Sequence, residues 1–159
     1  MDVEILKAEI AEHLPAVPKP IGNALSFHAE GCAHCDYLRR DLEPFKEPML
    51  TEQAILEIFS EMSCLSADGW RWMLPSYLLQ CLENPGGRLD SAIEFLIYNL
   101  APTQKHEAET RERLAALHVD QLRCLVHFLE WCGEHEHWGD YCADEIAQGL
   151  AFLPTVTAR

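Results

Sequence analysis

Residues 65–82, LSADGWRWMLPSYLLQCL, form the densest apolar run of the chain. Trp70, Leu74, Leu78 and Leu82 recur at steps of four, and Trp72, Met73, Tyr77, Leu79 and Cys81 fill the other faces. A segment apolar nearly all round predicts a central helix with neighbours on most sides. Ser66 is placed to cap it, with Asp68 in the favourable first turn. Pro75 removes one backbone hydrogen bond and crowds the preceding turn, which predicts a kink, or two helices meeting near Leu74. The simplest use of such a break is a bend that wraps the core; the other is a pocket at the freed carbonyl of Arg71.

The flanking segments carry the same helical period. Val3, Leu6, Ile10 and Leu14 share one face of a helix over residues 2–14, and Pro15, Pro18 and Pro20 end it and stiffen a linker. Ala24 to Phe27 reads as a short extended piece, followed by a helix that starts near the His28–Cys35 stretch, turns Tyr37, Leu38 and Leu42 inward and is ended by Pro44 and Pro48. Thr51 caps a helix to about Met62. Asn84-Pro85-Gly86-Gly87 is a turn, and Asp90 is placed to cap a helix bearing Ile93, Leu96, Ile97 and Leu100. Residues 101–116 are polar, mixed loop and helix. A helix from Val119 to near Gly133 buries Leu122, Leu125, Val126 and Leu129, and a last one spans about 140–152. The expectation is an all-α fold, one compact domain of about six or seven helices packed around the central one. Residues 1–20 supply the N-terminal helix and its Pro-rich linker, and residues 21–153 the core.

Composition supports this picture: 22 Leu stand against 5 Val, 8 Ile and 5 Thr, a helix-forming balance. At 159 residues the chain can bury roughly two thirds of its unfolded surface. A formal charge of −14 argues against nucleic acid and anionic membrane as partners; it allows a basic protein partner, with plain solubility as the simpler use. From Cys124 to Ala158 there is no Lys or Arg, while Glu130, Glu134, Glu136, Asp140, Asp144 and Glu145 give −6. The opening MDVEILKAEI lacks a basic n-region and an apolar h-region, so no signal peptide is expected, and no apolar run reaches spanning length. An odd seven cysteines, scattered, then suit reduced thiols in a cytoplasmic protein.

Two clusters could carry chemistry. His28, Cys32 and Cys35, with His34 between the cysteines, form a CxxC with a third donor nearby; two thiolates three residues apart can aim at one ion, zinc by preference. A closed site needs a fourth ligand, which would come from elsewhere, for example from Cys132, His135 or His137. The same CxxC at a helix start can serve thiol redox chemistry, although a thioredoxin-like fold needs strands this composition does not favour. The plain reading places Cys32 and Cys35 as small half-buried residues, and it comes first. The second cluster, Trp131-Cys132-Gly133-Glu134-His135-Glu136-His137-Trp138, reads as a polar helix end flanked by tryptophans that pack inward, and as a weaker set of ligands. HExxH, GxSxG, P-loop and GxGxxG patterns are missing, so no catalytic residue stands out.

Several stretches resemble a family of small bacterial proteins, domain of unknown function 6714. They are Cys32-x-x-Cys35, Leu65-Ser66-x-x-Gly69-Trp70-Arg71-Trp72-x-Leu74-Pro75-x-Tyr77-Leu78, Phe95-Leu96-Ile97-Tyr98-Asn99-Leu100-Ala101-Pro102, and Asp120-Gln121 leading into Phe128-Leu129. The Leu-Pro-x-Tyr-Leu block is the most specific. In that family an acidic residue commonly precedes the second cysteine, where this chain has His34. The resemblance implies a bacterial cytosolic helical domain and transfers no activity. The leading functional expectation is an acidic protein-binding module without catalysis, acting on a basic partner as immunity-type proteins do. A zinc protein built on His28, Cys32 and Cys35 is the alternative, and a CxxC thiol oxidoreductase the third.

Overall fold

In a computed structural model, which describes residues 1–157, the chain is all-helical. Nine α-helices follow one another among the described residues: α1 (Val3–His13), α2 (Ala33–Asp41), α3 (Glu52–Ile58), α4 (Ala67–Glu83), α5 (Asp90–Leu100), α6 (Glu107–Leu114), α7 (Val119–Glu134), α8 (Glu136–Tyr141) and α9 (Ala143–Phe152). Short 3-10 turns cover Gly22–Leu25, Phe59–Cys64 and Leu153–Thr155. The only sheet-like pairing among the described residues is an isolated antiparallel bridge between Ser26 and Leu65. One hydrophobic cluster runs from Leu6 to Val156.

The central helix is α4. Ser66 Oγ accepts from the Gly69 amide at 3.0 Å, satisfying one of the helix's free N–H groups. Trp70, Trp72, Met73, Leu74, Tyr77, Leu78, Cys81 and Leu82 are all buried, as the all-round apolar pattern requires. Pro75 is buried inside the helix, which continues to Glu83 as one element; two helices do not meet at Leu74. The next side chain, Ser76, donates to the Met73 carbonyl at 3.3 Å and accepts from the Leu50 amide at 3.0 Å, so polar contacts surround the proline. Tyr77 carries its hydroxyl to the Ala92 carbonyl at 2.8 Å and ties α4 to α5.

Several local expectations change. Tyr37 does not turn inward: it is 46% exposed and the Arg40 guanidinium lies 4.8 Å over its ring. The helix begun at Thr51 tightens to 3-10 geometry at Phe59 and so ends before Met62. Asp90 is not the N-cap of α5, which is Leu89; its carboxylate instead accepts from the Gly86 amide at 2.9 Å and closes the preceding turn. The last helix, expected over about 140–152, is α9 from Ala143, because the chain breaks at Cys142; the residues before it form a separate short helix, α8, which His135 caps. Gly139 explains the tight junction: an added Cβ there would sit 2.5 Å from the Gly133 carbonyl oxygen.

One close approach positions the candidate site. The first turn of α4 lies against the 25–28 segment so tightly that a Cβ at Gly69 would meet the Leu25 carbonyl oxygen at 2.6 Å. Around it, Ser66 N donates to Leu25 O at 3.0 Å and Phe27 N to Cys64 O at 2.7 Å. The expected extended piece is thus real only at Ser26, since Gly22–Leu25 is a 3-10 turn.

Candidate metal centre

His28 leaves the bridged segment at the surface, and Gly31, with φ of +76°, turns the chain back toward α2. Cys32 is the N-cap residue of α2, in extended conformation, and Cys35 lies in its first turn. The spacing therefore does what a CxxC at a helix start does: both sulfurs face the same end of the helix. One donor atom each from His28, Cys32 and Cys35 lies within 4.8 Å of the others. Cys35 Sγ is 3.7 Å from His28 Nδ1 and 3.8 Å from the Cys64 carbonyl oxygen. Arg39, one turn further along α2, pins the loop: it donates to the His28 carbonyl at 3.1 Å and also to Ser26 Oγ and Asp36.

The two thiols differ in character. The Cys35 backbone amide, then the Cys35 thiol, hydrogen-bond to Cys32 sulfur and hold its pKa below the ordinary thiol value. Burial pushes Cys35 up, and it pushes Cys64 up further, to about 11. The thiolate is the reactive form, so iodoacetamide is expected to label Cys32 well before Cys35 and Cys64 in metal-free protein at neutral pH. As pH rises, labelling of Cys32 gains first, below the usual thiol range, and Cys64 gains last. Equal rates at Cys32 and Cys35 in a peptide-mapped time course would contradict the asymmetry.

The second expected cluster does not assemble. Cys132 is fully buried, His135 packs on the Trp138 ring at 4.1 Å, and His137 stacks on Tyr141 while its Nε2 lies 3.2 Å from Glu94 Oε1. None of the three joins the His28 group, so they do not supply its fourth ligand as expected. Trp131 and Trp138 do pack inward. Glu130, Glu134, Glu136, Asp140 and Asp144 are solvent-exposed. His34 is exposed and stays outside the convergent group.

Two residues with no motif stand beside the site. Cys64 ends the Phe59–Cys64 turn and is half-buried. Arg113 of α6 is 8% exposed, stacks its guanidinium 4.8 Å over Phe27, and reaches Glu109 with Nη2 at 3.4 Å while its Nε has no partner. A surface cavity of about 610 Å³ lies on the other flank of Arg39, between Pro18, Pro20, Ile21, Leu25 and Pro48. Its three cations each have a partner: Lys19 the carbonyls of Leu42 and Phe45, Arg39 as above, and the exposed Lys46 the Glu43 carboxylate at 3.9 Å.

Fold and site define an all-helical domain carrying a His/Cys/Cys group that could hold a metal ion. A family model described as a family of unknown function, DUF6714, matches residues 39–145, and the chain belongs to that family. No curated protein and no solved structure matches it. His28, Cys32 and Cys35 all precede the matched span, whereas Cys64 and Arg113 fall within it. No helix among the described residues is long and apolar enough to cross a membrane.

Proposed function

We propose that the protein is a zinc-binding helical domain in which His28, Cys32 and Cys35 hold the ion. The supporting observation is their convergence within 4.8 Å. Thiolate and imidazole donors form a soft set that suits zinc over oxygen-seeking cations. The ion would fasten the 26–32 loop to the first turn of α2, a structural role. The test is elemental analysis of protein purified without chelator. About one zinc per chain is expected, falling to a small fraction of that in Cys35→Ser. Unchanged zinc in that variant, or no zinc uptake by the fully reduced native chain, overturns the reading.

A thiol-redox role has one observation in its favour, the split between an activated Cys32 and a buried, less acidic Cys35. The thioredoxin architecture that usually supports it is absent among the described residues. The same preparation separates the two: a Cys32–Cys35 disulfide removes two hydrogens from the intact mass and excludes zinc from both sulfurs. A basic protein partner is supported only by the exposed carboxylates of α7, α8 and α9.

A further inference from the structure

We infer that Cys64 is the fourth ligand, which makes the centre a closed Cys3His site drawn from three separate parts of the chain. This rests on the zinc reading above and says what completes it. The argument begins with the backbone. Phe27 N donates to Cys64 O at 2.7 Å, and the Ser26–Leu65 bridge clamps the next pair, so Cys64 is held in register beside the residue that precedes His28. Cys35 Sγ meets the Cys64 carbonyl at 3.8 Å, so the backbone of Cys64 already touches one ligand of the group. The three donors that already converge do not include Cys64. Closure therefore needs the half-buried Cys64 side chain to turn toward the ion.

The charge balance gives an independent reason. Zinc with two thiolates and a neutral imidazole is neutral; with three thiolates the centre carries one negative charge. Arg113 supplies a buried positive charge close enough to couple with Cys64, and its Nε is without a partner. An unpaired buried guanidinium N–H is costly, and a thiolate bound to zinc is an acceptor that would repay it. Phe27, stacked on that guanidinium, holds it beside the Phe27–Cys64 pairing. The remaining cysteines, Cys81, Cys124, Cys132 and Cys142, are buried and do not join the group.

Cobalt(II) in place of zinc tests this, because sulfur-to-cobalt charge-transfer absorption grows with the number of thiolates. Native protein is expected to show a tetrahedral spectrum, and Cys64→Ser to lose about one third of the charge-transfer intensity as three thiolates become two. Zinc affinity in that variant is expected to fall by about 100-fold or more, while Cys124→Ala leaves spectrum and affinity unchanged. A second measurement needs no variant: differential alkylation of native protein with and without zinc, mapped by peptide mass. Zinc protection of Cys32, Cys35 and Cys64 together supports the inference. Protection of Cys32 and Cys35 with Cys64 labelled equally in both states overturns it and leaves the three-ligand reading standing. No cobalt or zinc binding, and no protection anywhere, overturns both.

Discussion

Stripping the metal with a strong chelator is expected to lower the unfolding midpoint by about 8–16 °C. A ligand that binds only the folded state stabilises by about 4 kcal/mol at a thousandfold excess over its dissociation constant. For a chain of this size each kcal/mol corresponds to about 2–4 °C. The effect is large because of what the ion would join. His28 is exposed and Cys32 is the half-buried N-cap of α2, and the loop between them is fastened by a few single contacts: Arg39 to the His28 carbonyl, Phe27 N to Cys64 O, and the Ser26–Leu65 bridge. No disulfide is present among the described residues to share the task. The sign of the pH dependence follows from the ligands, which must give up protons to bind. Burial holds Cys35 and Cys64 above the ordinary thiol value, so acid competes effectively: the stabilisation is full at mildly alkaline pH and lost as pH falls. Scanning calorimetry with and without chelator, at two pH values, measures both. A midpoint that does not move on chelation, in protein shown by elemental analysis to have held zinc, would mean the ion contributes nothing to the fold.

The helices were legible because their signal is local. Trp70 to Leu82 repeats every four residues regardless of what lies across from it, and a Ser-x-x-Gly start carries its own cap. The errors fall where a tertiary contact decides. Asp90 closes a turn through Gly86 because the turn is four residues away and its amide is free. Tyr37 faces solvent because α2 buries only Cys35 and Leu38 along one narrow stripe. The candidate site was half readable for the same reason. His28, Cys32 and Cys35 are close in sequence, and one glycine turn joins them in space. Cys64 and Arg113 reach them only through a bridge and a ring contact between distant segments, which leave no spacing to read. The cluster at residues 131–138 looked like ligands because its residue types matched, but ring packing had already claimed His135 and His137.

Trp70→Ala is expected to cost about 4–5 kcal/mol, most of a marginal domain's stability. Trp70 is 1% exposed, and its indole N–H donates to the Met62 carbonyl at 3.0 Å. The more discriminating comparison is Trp70→Phe against Trp72→Phe, two equal losses of volume at two fully buried positions. Trp70→Phe also gives up a buried hydrogen bond, worth about 1 kcal/mol. The Trp72 indole N–H has no partner, so Trp72→Phe removes a desolvated donor, a gain of about 1–3 kcal/mol that offsets the lost packing. Against that gain stands a weaker contact with Lys19, whose ammonium lies 5.7 Å from the Trp72 ring. The net expectation is that Trp70→Phe is less stable than Trp72→Phe by about 2 kcal/mol in urea unfolding. The reverse order would show that the Trp72 N–H is satisfied in solution. The pair also bears on the centre. Met62 O takes hydrogen bonds from both Leu65 N and Trp70 Nε1, at the turn that ends in Cys64. Trp70→Phe therefore loosens the segment that carries Cys64 and is expected to weaken zinc affinity, whereas Trp72→Phe leaves it as it is. A core tryptophan and a surface centre would then be linked through one carbonyl, which separates that effect from a general loss of stability.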